Sequence, residues 1–458
     1  MKQMRGLRLL AILAVVGLVL AACGDGAEDT TTTEEQPVAT TVPEATTTTE
    51  EMTTTTEEMG STTSTTEPVE ITGRGDGVLT LARVLAETGF LDYLSPAIVA
   101  GVELAVDDIN AAGGVLGSDV ELLEFDSGTD PAVALPNVNS ALAQGGDVII
   151  GAMASGVTQS FLDTLNQNGV PNCSPSATSP SFNDQANASL MFRTVPPDQF
   201  VAPVIADEIV NDGNGDNVVI VARSDDYGSA LANLVASELG FLNATVASTI
   251  QYTDETTFAS ETDDIVGANP SAVVVISFRE AATLLGLLVD QGLDPAIFYG
   301  ADGVFSGQLP TLVGGDASLL DGMKVIGASG SDEFNTRLAD EKGVTDFIYG
   351  GQGYDCTVLV TLWAAAEGTD DTTAWDPQTL LDLTDGGTVC TTYADCLELV
   401  EAGEDVDYDG ASGPLSLAPG NPGGDGNLGN PQFSVYAVAQ YQDGGDLVSI
   451  SATEVDLR

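Results

Sequence analysis

The chain is 458 residues long, 43% hydrophobic and 6% aromatic, which is enough apolar material for two ordinary cores rather than one. Sixty-nine acids against 12 bases leave a formal charge of −57, which excludes nucleic acid and anionic lipid headgroups as partners. Histidine is absent, so histidine acid–base catalysis, Ser–His triads and histidine metal ligation are excluded together.

Lys2, Arg5 and Arg8 precede an apolar run from Leu9 to Leu20 that is too short to span a bilayer, so residues 1–22 read as a signal peptide. Leu20-Ala21-Ala22-Cys23 resembles the lipobox of bacterial lipoproteins. That resemblance implies cleavage before Cys23 and a diacylglycerol on its sulfur, which places the chain outside the cytoplasm on the outer face of the cell membrane. Residues 23–77 are rich in Thr and Glu with Pro37, Pro43 and Pro68, and cannot bury a core. They read as a disordered stalk with a reach of about 40 Å. Most of the acid lies beyond residue 77, in the folded body. If this is adaptation to a saline medium, melting temperature rises between low and seawater-like salt as self-repulsion is screened; an unchanged value contradicts it.

Val78–Glu87 predicts a strand. Pro96 then opens a helix on which Val99, Val102, Ala105, Val106 and Ile109 recur at helical spacing until Gly113-Gly114. Val120–Phe125 is the next strand, Pro131–Gln144 a helix, and Val148–Ile150 a short buried strand. Further on come a strand at Val218–Val221, a helix at Ser229–Leu239 and a strand at Val273–Ile276. A helix at Glu280–Gln291 and a strand at Ala296–Tyr299 follow. Such alternation predicts doubly wound parallel sheets, in which ligands sit beyond the carboxyl ends of the strands.

Seven segments after these strands carry a resemblance. They are GVELAVDDINAAGGVLGSDVELLEFDSGTDPAVA (101–134), VIIGAMASGVTQ (148–159), VPNCSPSATSP (170–180), FRTVPPDQ (192–199), ARSDDYGSAL (222–231), FYGADGV (298–304) and GYDCTVLV (353–360). In their order and spacing they resemble the branched-chain amino-acid-binding proteins of ABC importers, over nearly all of residues 78–458. The resemblance implies the type I periplasmic-binding-protein fold: two doubly wound α/β lobes joined by a three-strand hinge. Lobe 1 would hold 78–196 and 327–433, and lobe 2 would hold 197–326 and 434–458. It also implies a small ligand, a permease with its ATPase as partner, no cofactor, and a monomer.

By the same resemblance, Ser155 and the Ser176-Ala177-Thr178 stretch meet the ligand carboxylate and ammonium. Asp302 meets the ammonium, where leucine-type proteins carry Glu. Tyr227 and Phe278 close over the ligand from the second lobe, and Tyr93 lines the side-chain pocket. Taken singly, these residues also suit caps and interlobe packing; together they make a carboxylate site and a cation site in one cleft.

Three other motifs lead elsewhere. Asp126-Ser127-Gly128 is half of an aspartic-protease site without its second half. DVDYDG (405–410) and DGNGDN (212–217) resemble calcium loops, but Ser416 and Arg223 stand where the closing Glu belongs. After Cys23 four cysteines remain, with three possible pairings; Cys390–Cys396 is the local pair, leaving Cys173–Cys356. A surface hydrolase is disfavoured by the missing histidine and nucleophile motifs, so no enzyme is expected. A receptor module for amides, urea or aromatic acids, presenting ligand to a signalling partner, remains open.

Overall fold

The computed structural model of the protein describes residues 73–253, 257–421 and 426–457. The expected signal peptide (1–22), the lipidated Cys23 and the stalk as far as residue 72 lie outside the described residues. Residues 73–77, read as the end of the stalk, are held to the body. The Asp370 carboxylate accepts the N–H groups of Asp76 and Gly77, and Arg74 donates to the Asn168 carbonyl.

The first lobe opens with β1 (Thr80–Leu85), α1 (Ser95–Ala111), β2 (Glu121–Asp126), α2 (Pro131–Ala143) and β3 (Val148–Gly151). It continues through α3 (Ser155–Gln159), α4 (Leu162–Asn168), β4 (Asn172–Ser174) and β5 (Met191–Arg193). All five strands are parallel, in the order β2-β1-β3-β4-β5. Helices cover both faces of such a sheet, so its central strands run almost uniformly apolar, and β1 and β3 are buried along their whole length.

The second lobe repeats the scheme. It contains α5 (Val201–Asn211), β6 (Val218–Arg223), α6 (Asp226–Phe241), β7 (Val246–Tyr252), α7 (Ala259–Ala268), β8 (Ala272–Ile276) and α8 (Ala281–Asp290). Then come β9 (Phe298–Gly300), α9 (Leu309–Leu312) and β10 (Lys324–Ser329). The chain returns to the first lobe for α10 (Asp332–Lys342), α11 (Gly350–Glu367), α12 (Pro377–Asp382), β11 (Thr388–Cys390), α13 (Tyr393–Ala402), β12 (Val406–Gly410) and β13 (Gly413–Pro414). It ends in the hairpin β14 (Phe433–Gln442) and β15 (Asp446–Asp456), which extends the second sheet to the order β15-β14-β10-β9-β8-β6-β7. The lobe-2 sheet is therefore parallel except for this antiparallel edge.

The α11 helix packs directly on α1, and glycine makes the approach possible. A Cβ on Gly101 would lie 2.0 Å from the Gly350 carbonyl oxygen. Disulfide Cys173–Cys356 joins β4 to α11 within the first lobe, and Cys390–Cys396 joins β11 to α13.

The strand expected at Val78–Glu87 is shorter, Thr80–Leu85, and two other elements start later or earlier than the sequence reading. The α6 helix starts at Asp226 rather than Ser229, because the Asp225 side chain caps it by accepting the Gly228 N–H. The strand expected from Ala296 begins at Phe298, because Asp294 caps a 3₁₀ turn over Pro295–Ile297. Both calcium-like stretches are engaged within the fold. Residues Val406–Gly410 are a strand paired with β11, and Asp212 holds Lys324 at 2.7 Å. Among the described residues, no group of three or more acids or cysteines is arranged for a metal ion.

Candidate functional site

In both sheets the strand order reverses beside the lobe's first strand, between β1 and β3 and between β6 and β8. Such switch points leave a crevice at the carboxyl ends of the strands. The segments entering it are the turns after β1, β3 and β4 from lobe 1, and those after β6, β8 and β9 from lobe 2. They enclose a small, narrow pocket. Its walls are Leu91, Leu94, Met153, Ala154, Ser155, Ser176, Tyr227, Phe278, Asp302, Gly303 and Tyr349.

Five residues expected from the sequence thus line one pocket: Ser155, Ser176, Tyr227, Phe278 and Asp302. The Ser155 Oγ accepts the Ser179 N–H at 3.1 Å, leaving its own hydroxyl proton free to donate. The Ser176 hydroxyl donates to the Met153 carbonyl at 3.2 Å. Tyr227 and Phe278 stack with ring centroids 5.4 Å apart and planes 12° apart, and the Arg223 guanidinium lies 4.4 Å from the Phe278 ring centre.

Asp302 is the electrostatic centre. Its Oδ1 accepts the Tyr227 hydroxyl at 2.5 Å and its Oδ2 accepts the Tyr349 hydroxyl. Gly303 beside it brings the turn against β8, where a Cβ would lie 2.5 Å from the Ser277 carbonyl oxygen. Burial pushes the Asp302 carboxyl above the ordinary range, with the two tyrosine hydroxyls pulling the other way. Burial also raises both tyrosines well above their usual range, and the Asp302 charge adds to it.

Two expected residues sit differently. Tyr93 is buried, but it is not a wall of the pocket; its hydroxyl crosses to lobe 2 and donates to the Gly303 carbonyl, while Leu91 and Leu94 on either side face the pocket. Thr178 lies behind the wall. Its carbonyl accepts the Asp198 N–H at 3.0 Å, and its hydroxyl acts on the Asp198 carboxyl, favouring the ionised form.

Asp198 is the residue that sequence reasoning missed, although FRTVPPDQ contains it. It is fully buried, with the Thr178 hydroxyl and the Arg193 guanidinium both acting on its carboxyl. Burial raises its pKa well above the usual range and the nearby Asp302 charge raises it further. Asp302 at the pocket wall and Asp198 behind it make this end of the cleft electronegative, with Arg193 the buried cation nearest Asp198. Tyr349 was missed as well. It stands at the start of α11 with φ +61°, a conformation costly for a bulky side chain and one that clusters at ligand clamps.

Arg193, also in FRTVPPDQ, holds the loop after β4. Its guanidinium donates to the Ala177 and Ser179 carbonyls at 2.9 and 2.8 Å and to the side chains of Asn430 and Asn183 at 2.6 Å each. These bonds clamp the backbone of the loop that presents Ser176 and Thr178.

Comparisons with known proteins follow the same lines. The family model described as "Periplasmic binding protein" matches residues 79–374. The leucine-, isoleucine-, valine-, threonine- and alanine-binding protein of Pseudomonas aeruginosa is 29% identical over 226 residues, 48% of this chain and 58% of that protein. The chain thus spans little more than half the length of that relative. A chemotactic signal transduction substrate-binding protein, BasB, of Halobacterium salinarum is 26% identical over 345 residues, 73% of this chain and 81% of that one. Among solved structures, a leucine-binding protein of Thermotoga maritima superposes with a TM-score of 0.67 at 17% identity, covering 83% of this chain and 99% of the other. That likeness is one of fold.

Proposed function

The chain belongs to the periplasmic binding protein family, and from that premise we propose that it captures an α-amino acid with an apolar side chain by hinge closure and hands it to the permease of an ABC importer. The supporting observation is the buried Asp302 carboxylate facing the uncommitted Ser155 hydroxyl across one small, otherwise apolar cleft, with Asp198 buried close behind it. Asp302 takes the α-ammonium, with the buried Asp198 adding to the negative field, and the Ser155 hydroxyl with nearby backbone N–H groups takes the α-carboxylate. Leu91, Leu94 and Met153 take the side chain. The ligand, touching both lobes, stabilises the closed arrangement by its differential affinity for it. No bond of the ligand is broken.

In this reading the lobe divisions fall at 196/197 and, inside the crossing strands β10 and β14, at 326/327 and 433/434, a Cys23 lipid holds the monomeric protein at the outer face of the membrane, and the permease and its ATPase are the partners. A sensory role is the second reading, favoured by the long alignment with the chemotactic relative. A thermal-shift screen of amino acids, amides, urea and small carboxylates tests the ligand class. Permease and ATPase genes beside this one decide between import and sensing.

A further inference from the structure

The segment between β1 and α1 does more than line the pocket. Its first half is moored to lobe 1. The Asp126 carboxylate, at the end of β2, accepts the N–H groups of Glu87 and Thr88 and the Thr88 hydroxyl, and the Thr129 hydroxyl accepts the Leu91 N–H. The protease-like Asp126-Ser127-Gly128 motif therefore serves as an anchor.

The second half reaches lobe 2. Arg279, just beyond β8, donates its backbone N–H to the Phe90 carbonyl at 3.3 Å, and its guanidinium pairs with Asp92 at 2.7 Å. The Phe90 ring lies 5.6 Å from the Arg223 guanidinium. Tyr93 donates to the Gly303 carbonyl, and the Gln308 side chain donates to the Tyr93 carbonyl at 3.3 Å. Leu91 and Leu94 face the pocket while Phe90, Asp92 and Tyr93 cross to the other lobe. Ligand contact and lobe contact therefore belong to one short stretch of chain.

We propose that residues 87–94 form an interlobe latch, in which the Asp92–Arg279 ion pair sets how long the lobes stay together without itself touching the ligand. This rests on the hinged binding-protein reading above. Both side chains of the pair are partly exposed, 27% for Asp92 and 41% for Arg279, so the pair contributes a modest factor that salt weakens. Breaking it shortens the closed state about two- to five-fold.

The test is hydrogen–deuterium exchange on the full chain without added ligand, together with release of radiolabelled L-leucine, for D92N, R279Q and the exchanged pair D92R/R279D. Exchange in peptides covering 87–94 and 276–282 quickens about two- to five-fold in each single variant. The exchanged pair restores it, peptides of β3 to β5 stay unchanged, and L-leucine release quickens by the same factor. Unchanged exchange in both single variants overturns the latch. Faster exchange without faster release overturns its control of residence time. Should the unmodified protein retain no L-leucine, the amino-acid reading fails while the exchange comparison still decides the latch.

Discussion

Replacing Asp302 by Asn is expected to weaken ligand binding by about 100-fold, ~3 kcal/mol, while leaving the melting temperature of the unliganded protein unchanged or higher. The binding loss is that of removing one member of a buried, hydrogen-bonded charge pair. The stability result has the opposite sign because the fold does not favour this charge. Burial holds the carboxyl above its ordinary value near 4, so the folded state binds the proton more tightly than the unfolded one. Stability therefore falls as pH rises from about 4 through the raised folded value, and Asn removes that cost. Asp198 is raised in the same direction by burial and by Asp302, and the two titrate as a pair. A bound ammonium reverses the balance by favouring both ionised forms. Affinity should then fall as pH drops through the raised range, and calorimetry in buffers of different ionisation enthalpy should detect proton release on binding. A D302N protein that binds as well as the unmodified one, or a pH-independent affinity, contradicts this assignment.

The second large effect is at Arg193. Replacement by Met leaves two loop carbonyls and two asparagine side chains without their donor inside the protein, at an expected cost of about 3–5 kcal/mol in denaturant unfolding. Lys keeps the charge but not the planar fork, so R193K should recover only part of the loss. Because the clamped loop carries Ser176 and Thr178, ligand affinity should fall in R193K even where the protein remains folded. A stable R193M protein with unchanged affinity would show that the loop holds itself.

Much of this architecture was legible because the signals are local. The buried run Val148–Ile150, Pro96 at the start of α1 and the strand–helix alternation each report one stretch of chain, and the doubly wound order follows from them. Ser155, Ser176, Tyr227, Phe278 and Asp302 were legible because each follows a strand, and the switch point gathers strand ends into one crevice. The misses are residues whose role depends on distant partners. Asp198 looks like a loop acid until burial and the neighbouring Asp302 are known. Tyr349 follows no strand and reaches Asp302 from the start of α11, in a backbone conformation that nothing in its neighbours announces. The resemblance places Tyr93 in the pocket, but it does not fix the register of a loop; Leu91, two positions before it, and Leu94, one after, hold that role.

The central claim is that the cleft recognises an ammonium group on its ligand. Isothermal titration of the full chain with L-leucine, its deaminated acid 4-methylpentanoate and its decarboxylated amine isopentylamine tests it directly. The account predicts that L-leucine binds, that the amine keeps part of the affinity through Asp302 and Asp198, and that the acid alone does not bind. Binding of 4-methylpentanoate as tightly as L-leucine, with the amine inert, would contradict it.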